Sequence, residues 1–235
     1  MSAAVEVTGL EVAYGDARAV FGVSFAVEPG RTVAVLGANG AGKSSLAAAV
    51  AGAVRPAAGR IRIAGHDTTG WPPHRVARLG VAYVPEGRGI FPHLSVADNL
   101  RAMLRYAVPA SERSAAVERA VEIFPILGER RHQHAGTLSG GEQQMLALAR
   151  VLAAPPRLLV ADEMSLGLAP MMVDLVFDGL TRAREQGVTI VLVEQYVERA
   201  LAFADAAVVM RHGEIAWHGR ASDAHEHALA SYLGG

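Results

Sequence analysis

The chain has 235 residues, 51% of them apolar, with 22 Lys plus Arg against 23 Asp plus Glu, a formal net charge of −1 and no cysteine. That is enough apolar material for a sizeable core; the balanced charge argues against an electrostatic footprint for nucleic acid, and the lack of thiols excludes disulfides and cysteine-based metal sites. No run approaches the roughly 20 apolar residues of a membrane helix, the longest being residues 46–54; residues 1–6 lack the basic start and apolar core of a secretory signal, so the chain is expected to be soluble or held at a membrane through a partner.

Along the chain, apolar alternation predicts strands near residues 5–12, 25–27, 32–36 and 61–63. Turn clusters at Glu28-Pro29-Gly30 and Pro56-Ala57-Ala58-Gly59 separate them, which reads as antiparallel β around strand 32–36. That strand runs into Gly37-Ala38-Asn39-Gly40-Ala41-Gly42-Lys43-Ser44, followed by Ser45 and an alanine-rich helix expected over 43–53. The segment fits G-x-x-x-x-G-K-[ST] in the strand–loop–helix setting that the motif needs. There the glycines aim successive N–H groups into one concavity, Lys43 reaches β- and γ-phosphates, and the Ser44 hydroxyl can ligate Mg²⁺. A glycine-rich turn that merely joins strand to helix is the bland alternative, and the setting disfavours it.

A further strand is expected at 81–84, ending in Pro85-Glu86-Gly87-Arg88, and a helical stretch at 96–138, with a helix at 111–126 on the spacing of Val117, Val121 and Phe124. It ends at Leu138-Ser139-Gly140-Gly141-Glu142-Gln143-Gln144, where Ser139 and Glu142 form a capping-box pattern ahead of Met145, Leu146, Leu148, Val151 and Leu152 at helical spacing. The free N–H groups of such a helix start form an anion site. The apolar run 158–161 reads as a buried parallel strand, with Asp162 at its carboxyl end able to hold Mg²⁺ through water and Glu163 able to polarise an attacking water. Adjacent carboxylates often only cap helices; the upstream phosphate loop favours the catalytic reading. Helices at 170–185 and 197–204 then alternate with strands at 188–193 and 206–210, the rhythm of a parallel sheet, and a strand at 214–218 precedes a last helix ending at Ser231-Tyr232-Leu233. Nine histidines invite a metal site, yet His132, His134, His225 and His227 fall in polar or helical stretches without carboxylate support and read as solvated.

The two glycine-rich segments and the Asp162-Glu163 pair together resemble the nucleotide-binding subunit of ATP-binding-cassette (ABC) transporters over nearly the whole chain, with residues 138–144 matching the family's signature motif. Asp162 lies 162 − 139 = 23 residues after Ser139, room for one helix, a turn and one strand. The resemblance implies an α/β P-loop cassette spanning 1–235, with a RecA-like core, an antiparallel β subdomain and an α-helical subdomain inserted at about 96–140. It implies ATP cradled by Gly37, Asn39, Gly40, Ala41, Gly42, Lys43, Ser44 and Ser45, with the γ-phosphate also contacted by Ser139, Gly140, Gly141 and Glu142 of an opposite subunit. Mg²⁺ would fall to Ser44, Asp162 and Glu86, and hydrolysis to Glu163 and Gln195. Tyr14 sits where the family stacks an aromatic on adenine; an ordinary strand tyrosine remains the competing reading.

Two departures narrow the resemblance. Glu86 stands where most relatives carry Gln, and Gln195 replaces the usual switch histidine, so it can hydrogen-bond a γ-phosphate but cannot carry a proton charge. Together with Ser165-Leu166-Gly167-Leu168-Ala169-Pro170 they are similar to the smaller ATP-binding subunit of branched-chain amino acid importers and their urea and amide relatives; Met164 and Tyr196 stand where that subgroup has Pro and Asn. The implied partners are a second, larger ATPase subunit, two integral membrane permeases and, indirectly, an extracytoplasmic solute-binding protein. A homodimer is possible in isolation, no nucleic acid is expected, and the expected place is peripheral, on the cytoplasmic face of the plasma membrane. Ile90, Phe91, Pro92 and Leu94 beside Arg88 are expected either to seat a permease helix or to pack the helical part. A non-transport ABC ATPase would carry coiled-coil insertions or fused cassettes, and a nucleotide-dependent switch would scarcely hydrolyse ATP.

Overall fold

The computed structural model describes residues 3–233. The chain begins with two long antiparallel strands, β1 (Val5–Tyr14) and β2 (Ala17–Val27), and crosses to β3 (Thr32–Leu36), which runs into α1 (Lys43–Val50). The strands β4 (Ala58–Ile63) and β5 (His66–Asp67) return to the first sheet, whose order is β2-β1-β4-β5. A short α2 (Pro73–Ala77) leads to β6 (Val81–Val84), after which α3 (Val96–Leu104), α4 (Arg113–Ile123), α5 (Pro125–Glu129) and α6 (Gly140–Ala153) follow without an intervening strand. The remainder alternates: β7 (Leu158–Asp162), α7 (Pro170–Glu185), β8 (Thr189–Val193), α8 (Val197–Phe203), β9 (Ala206–Arg211), β10 (Glu214–Arg220) and α9 (His225–Leu233).

The second sheet has the order β10-β9-β3-β8-β7-β6, parallel from β9 to β6, with β10 antiparallel at its edge. Its central strands read as unbroken apolar runs because both faces are covered. On one face Val33, Val35, Leu158, Val160, Val191 and Val193 join a core with the first sheet and α1. On the other, Ala34, Leu36, Leu159, Ala161, Ile190 and Leu192 pack against α6 to α9. Helices α3 to α6 share a third core that includes Leu100, Leu104, Leu127 and Leu146. The joint is α6: Leu146, Ala149 and Ala153 face the helical core, while Leu148, Val151 and Leu152 face the sheet.

Three expectations about elements need correction. The helix expected over 111–126 is broken at Phe124 (φ −131°, ψ 85°), because Pro125 forbids helical backbone to the residue before it and starts a new helix of its own. The first helix stops at Val50, before residue 53, and Gly52 takes up a φ of 74° beyond it. Finally, β2 is far longer than residues 25–27: register shifts against β1 spoil its period of two, so only Val20, Val23 and Val27 are buried along it and the pattern was not legible as a strand.

Candidate active site

Parallel register aligns three strand ends. Val35 of β3 faces Val193 of β8, and Val193 faces Asp162 of β7. The loops that follow therefore open side by side at the carboxyl edge of the sheet, where open α/β folds place ligands. Loop 37–42 can turn there only with glycine: a Cβ on Gly37 would lie 2.3 Å from the Met210 carbonyl oxygen, and one on Gly42 2.3 Å from that of Ala19. Gly42 starts α1 with φ 94° and no side-chain cap, and no acidic residue occupies the first turn, which leaves the leading N–H groups and the positive end of the helix free for an anion.

Around this loop the polar side chains converge. Lys43 is buried; its Nζ donates to the carbonyls of Gly37 at 2.9 Å and Ala38 at 3.1 Å and lies 3.6 Å from Glu163 Oε1. Ser44 Oγ donates to Asp162 Oδ1 at 3.0 Å, and Tyr83 Oη donates to Oδ2 at 3.3 Å. Gln195 Nε2 donates to Glu163 Oε2 at 2.8 Å. Glu163 itself takes φ 48°, a costly left-handed conformation for a residue with a side chain, and its N–H is tied to the Val193 carbonyl at 2.9 Å. Tyr14 is half-exposed, its hydroxyl 3.4 Å from Ser45 Oγ, so an open ring stands beside the loop.

Burial pushes Asp162 up to about 6 from 3.8, against the pull of its hydrogen bonds from Ser44 and Tyr83, and the charges of Glu163 and Glu86 push it further. An acid with a raised pKa is penalised when ionised, so this group withdraws stability as pH rises from 3.8 through about 6. The penalty at neutral pH is on the order of 1–2 kcal/mol after allowance for partial solvent screening. Asp162→Asn is therefore expected to melt at or slightly above the wild-type temperature at pH 7 in the absence of nucleotide and divalent metal; a clear fall in Tm would contradict this account of Asp162.

The other expected residues fall into place unevenly. Glu86 is exposed and makes no hydrogen bond to the cluster; it touches the site only through its charge on Asp162 and Tyr83. Ser139 caps α6, with its Oγ accepting from Glu142 N at 3.3 Å and its N–H donating to Glu142 Oε2 at 2.8 Å. Gly140 and Gly141 follow as the first helical residues, and among the described residues no hydrogen bond or ion pair joins 139–142 to loop 37–45. His225 and His227 are exposed, as expected, but His225 does have a carboxylate beside it, its Nδ1 3.2 Å from Glu198 Oε1, while His227 stacks on Trp217 at 4.8 Å. Four residues of the site were not singled out from sequence. Tyr83 reaches Asp162 from the neighbouring strand. Arg150 of α6, whose pKa burial pushes down to about 10, donates to the Tyr83 carbonyl and ties α6 to the end of β6. Ser165 and Glu194 are buried next to Glu163 and Gln195. Only Glu194 carried a signal, as a charged residue directly following an apolar strand.

A loop of free N–H groups, a buried lysine and two consecutive carboxylates at the end of a parallel strand define a P-loop nucleotide-binding cassette. The ABC transporter family profile matches residues 20–165. BraG of Pseudomonas aeruginosa, a high-affinity branched-chain amino acid transport ATP-binding protein, is 42% identical over 224 residues, covering 94% of this chain and 96% of the relative. LivF of Archaeoglobus fulgidus, a probable branched-chain amino acid transport ATP-binding protein, is 35% identical over 219 residues, with 93% and 92% covered. Among solved structures, an ATP-binding subunit of an ABC transporter superposes with TM-score 0.82 at 25% identity over 98% of this chain and 96% of the other. A nucleotide-free ATP-binding cassette gives 0.81 at 23% over 97% and 96%. The chain belongs to the ABC transporter ATP-binding family and is an ATP-hydrolysing cassette of it.

Proposed function

We propose that the chain powers an importer of branched-chain amino acids or related small polar solutes such as urea and amides, working through a separate permease from the cytoplasmic face of the plasma membrane. The observation that carries the catalytic part is the meeting of Lys43, Ser44, Asp162, Glu163 and Gln195 at three adjoining strand ends. The cargo rests on the printed functions of the relatives from Pseudomonas aeruginosa and Archaeoglobus fulgidus. Residues 1–235 then form one cassette, with the helical part at about 96–140 inserted in its core. Peripheral attachment agrees with the described residues, among which no helix is long and apolar enough to cross a membrane.

In this reading the 37–45 loop wraps the phosphates of ATP, Lys43 leaves its two carbonyl partners for the β/γ oxygens, and Tyr14 stacks on the adenine. The Ser44 hydroxyl beside the Asp162 carboxylate is a hard-oxygen pair suited to Mg²⁺, and the raised pKa of Asp162 marks a buried charge that a cation relieves. Bound there, with Glu86 reaching it through water, Mg²⁺ would neutralise charge on the phosphates. Glu163 accepts a proton from the attacking water, and Gln195 holds the Glu163 carboxylate and offers its amide to the γ-phosphate. Ser139, Gly140, Gly141 and Glu142 present the start of α6 to ATP on the opposing cassette, so two subunits close around two nucleotides and hydrolysis reopens them. A larger, different cassette is the cellular partner, with two permeases and, beyond them, a solute-binding protein.

The permease seat is the apolar groove of about 600 Å³ between α2, β6 and α3, lined by Phe91, Met103, Tyr106 and Arg150 among others. Fully buried Asn99 shapes its rim: its amide donates to the carbonyls of Phe91, Leu94 and Ser95 and its Oδ1 accepts from Phe91 N–H at 2.7 Å. With that backbone fixed, Ile90 packs inward while Phe91 and Leu94 stay 50% and 39% exposed. Phe91→Ala is expected to weaken co-purification with membrane partners about tenfold or more, as for an interface anchor, with Tm and ATP binding unchanged. Equal recovery of membrane partners with mutant and wild type would sink the groove assignment.

A further inference from the structure

Glu194 follows β8 and precedes Gln195, is 1% exposed, and forms no ion pair among the described residues. Its carboxylate is spent on two loops. Oε2 accepts from Ser165 Oγ at 2.5 Å and from the Gln195 N–H at 3.3 Å, and Oε1 accepts from the Ser165 N–H at 3.3 Å. Ser165 is fully buried two residues after Glu163, inside a turn closed by the Leu166 N–H on the Glu163 carbonyl at 3.2 Å. A buried carboxylate is costly unless its lone pairs are filled, and here all three donors come from the segments that carry the two side chains nearest the reacting end of the site.

We infer that Glu194 is a positioning residue that clamps the turn after β7 to the turn after β8, so that Glu163 and Gln195 keep a fixed spacing. The inference rests on the catalytic role given to Glu163 and goes beyond it. Glu163 sits at φ 48°, which persists only where neighbouring contacts over-determine it. Upstream the Glu163 N–H is held by Val193; downstream Glu194 holds Ser165; across the site Gln195 holds the carboxylate. These links close a ring through both loops. Removing Glu194 releases one side of the strained turn and the backbone of Gln195 together, while the phosphate loop and Lys43, which Glu194 does not touch, are left in place.

The test uses the full chain with Glu194→Ala, Glu194→Gln and Ser165→Ala, and Gln195→Ala alone and combined with Glu194→Ala. Glu194→Ala is expected to lower kcat about 30-fold, the scale of a misplaced catalytic group, with KM for ATP within about threefold of wild type. Gln, which keeps one acceptor, should be intermediate. In the Gln195→Ala background Glu194→Ala should cost little more, because both act through one arrangement. Hydrogen exchange of the Ser165 and Gln195 amides should quicken in Glu194→Ala whatever the turnover, and Ser165→Ala, which keeps the fold's volume, supplies the same kinetic test if Glu194→Ala unfolds. Unchanged exchange, multiplying effects of the two substitutions, or kcat and KM moving together with a fallen Tm would overturn the clamp. Wild-type turnover in Glu163→Gln would instead overturn the catalytic role on which the clamp depends, and is read separately.

Discussion

Glu163→Gln is expected to lower ATP turnover by about 10²- to 10⁴-fold, the contribution of a well-placed general base, without loss of ATP binding. Glu163 is 8% exposed, with Oε1 3.6 Å from Lys43 Nζ and Oε2 accepting from Gln195 at 2.8 Å. Glutamine keeps the volume and an acceptor for Gln195 but cannot take a proton from water. It also removes a negative charge from beside the phosphates, so affinity for ATP should hold or rise. Binding without hydrolysis then leaves the closed pair of cassettes populated. Single-turnover kinetics with equilibrium binding of a fluorescent ATP analogue, and sedimentation with and without ATP, measure the three effects. Wild-type turnover in the variant would remove Glu163 from the catalytic role.

Lys43→Ala should act on binding instead. The ammonium is 3% exposed and held inside the loop by two of its carbonyls, so it exchanges them for phosphate oxygens without leaving the loop. Charge-assisted hydrogen bonds from such a group are worth about 2–4 kcal/mol in total, which is roughly 30- to 1,000-fold in Kd for ATP. The same change strands the Glu163 carboxylate without its cation, so some loss of stability in the nucleotide-free chain is expected as well. Thermal melting beside calorimetric titration with ATP separates the two. A folded Lys43→Ala protein that binds ATP as tightly as wild type would contradict the assignment.

Legibility from sequence followed the range over which each signal acts. The phosphate loop is a local device, with its strand, glycines, lysine and helix within about a dozen residues, and the structure has that strand–loop–helix as read. Likewise, βαβ alternation after residue 158 followed from apolar runs that two covered faces impose. Where two signals competed, the weaker reading lost: Pro125 outweighed the helical spacing of Val117, Val121 and Phe124, and bulges hid the first half of β2. The meeting of Ser44 with Asp162, 118 residues apart, and of Glu163 with Gln195, 32 apart, was reached through the family resemblance rather than through spacing. The roles of Tyr83, Arg150, Ser165 and Glu194 lay outside even that, although Ser165 falls in a segment that carries the resemblance, since each matters only through a neighbour that sheet register or helix packing brings to it.

The most direct measurement is to tag this chain in the cell that makes it, solubilise membranes gently and identify what co-purifies, with Lys43→Ala alongside. Two integral membrane permeases and a second, larger cassette should be recovered, and the complex rebuilt in vesicles with its solute-binding protein should take up a branched-chain amino acid only when ATP is supplied. Recovery of soluble partners alone, with ATP hydrolysis intact, would contradict the importer and leave an ABC ATPase that serves some other machine.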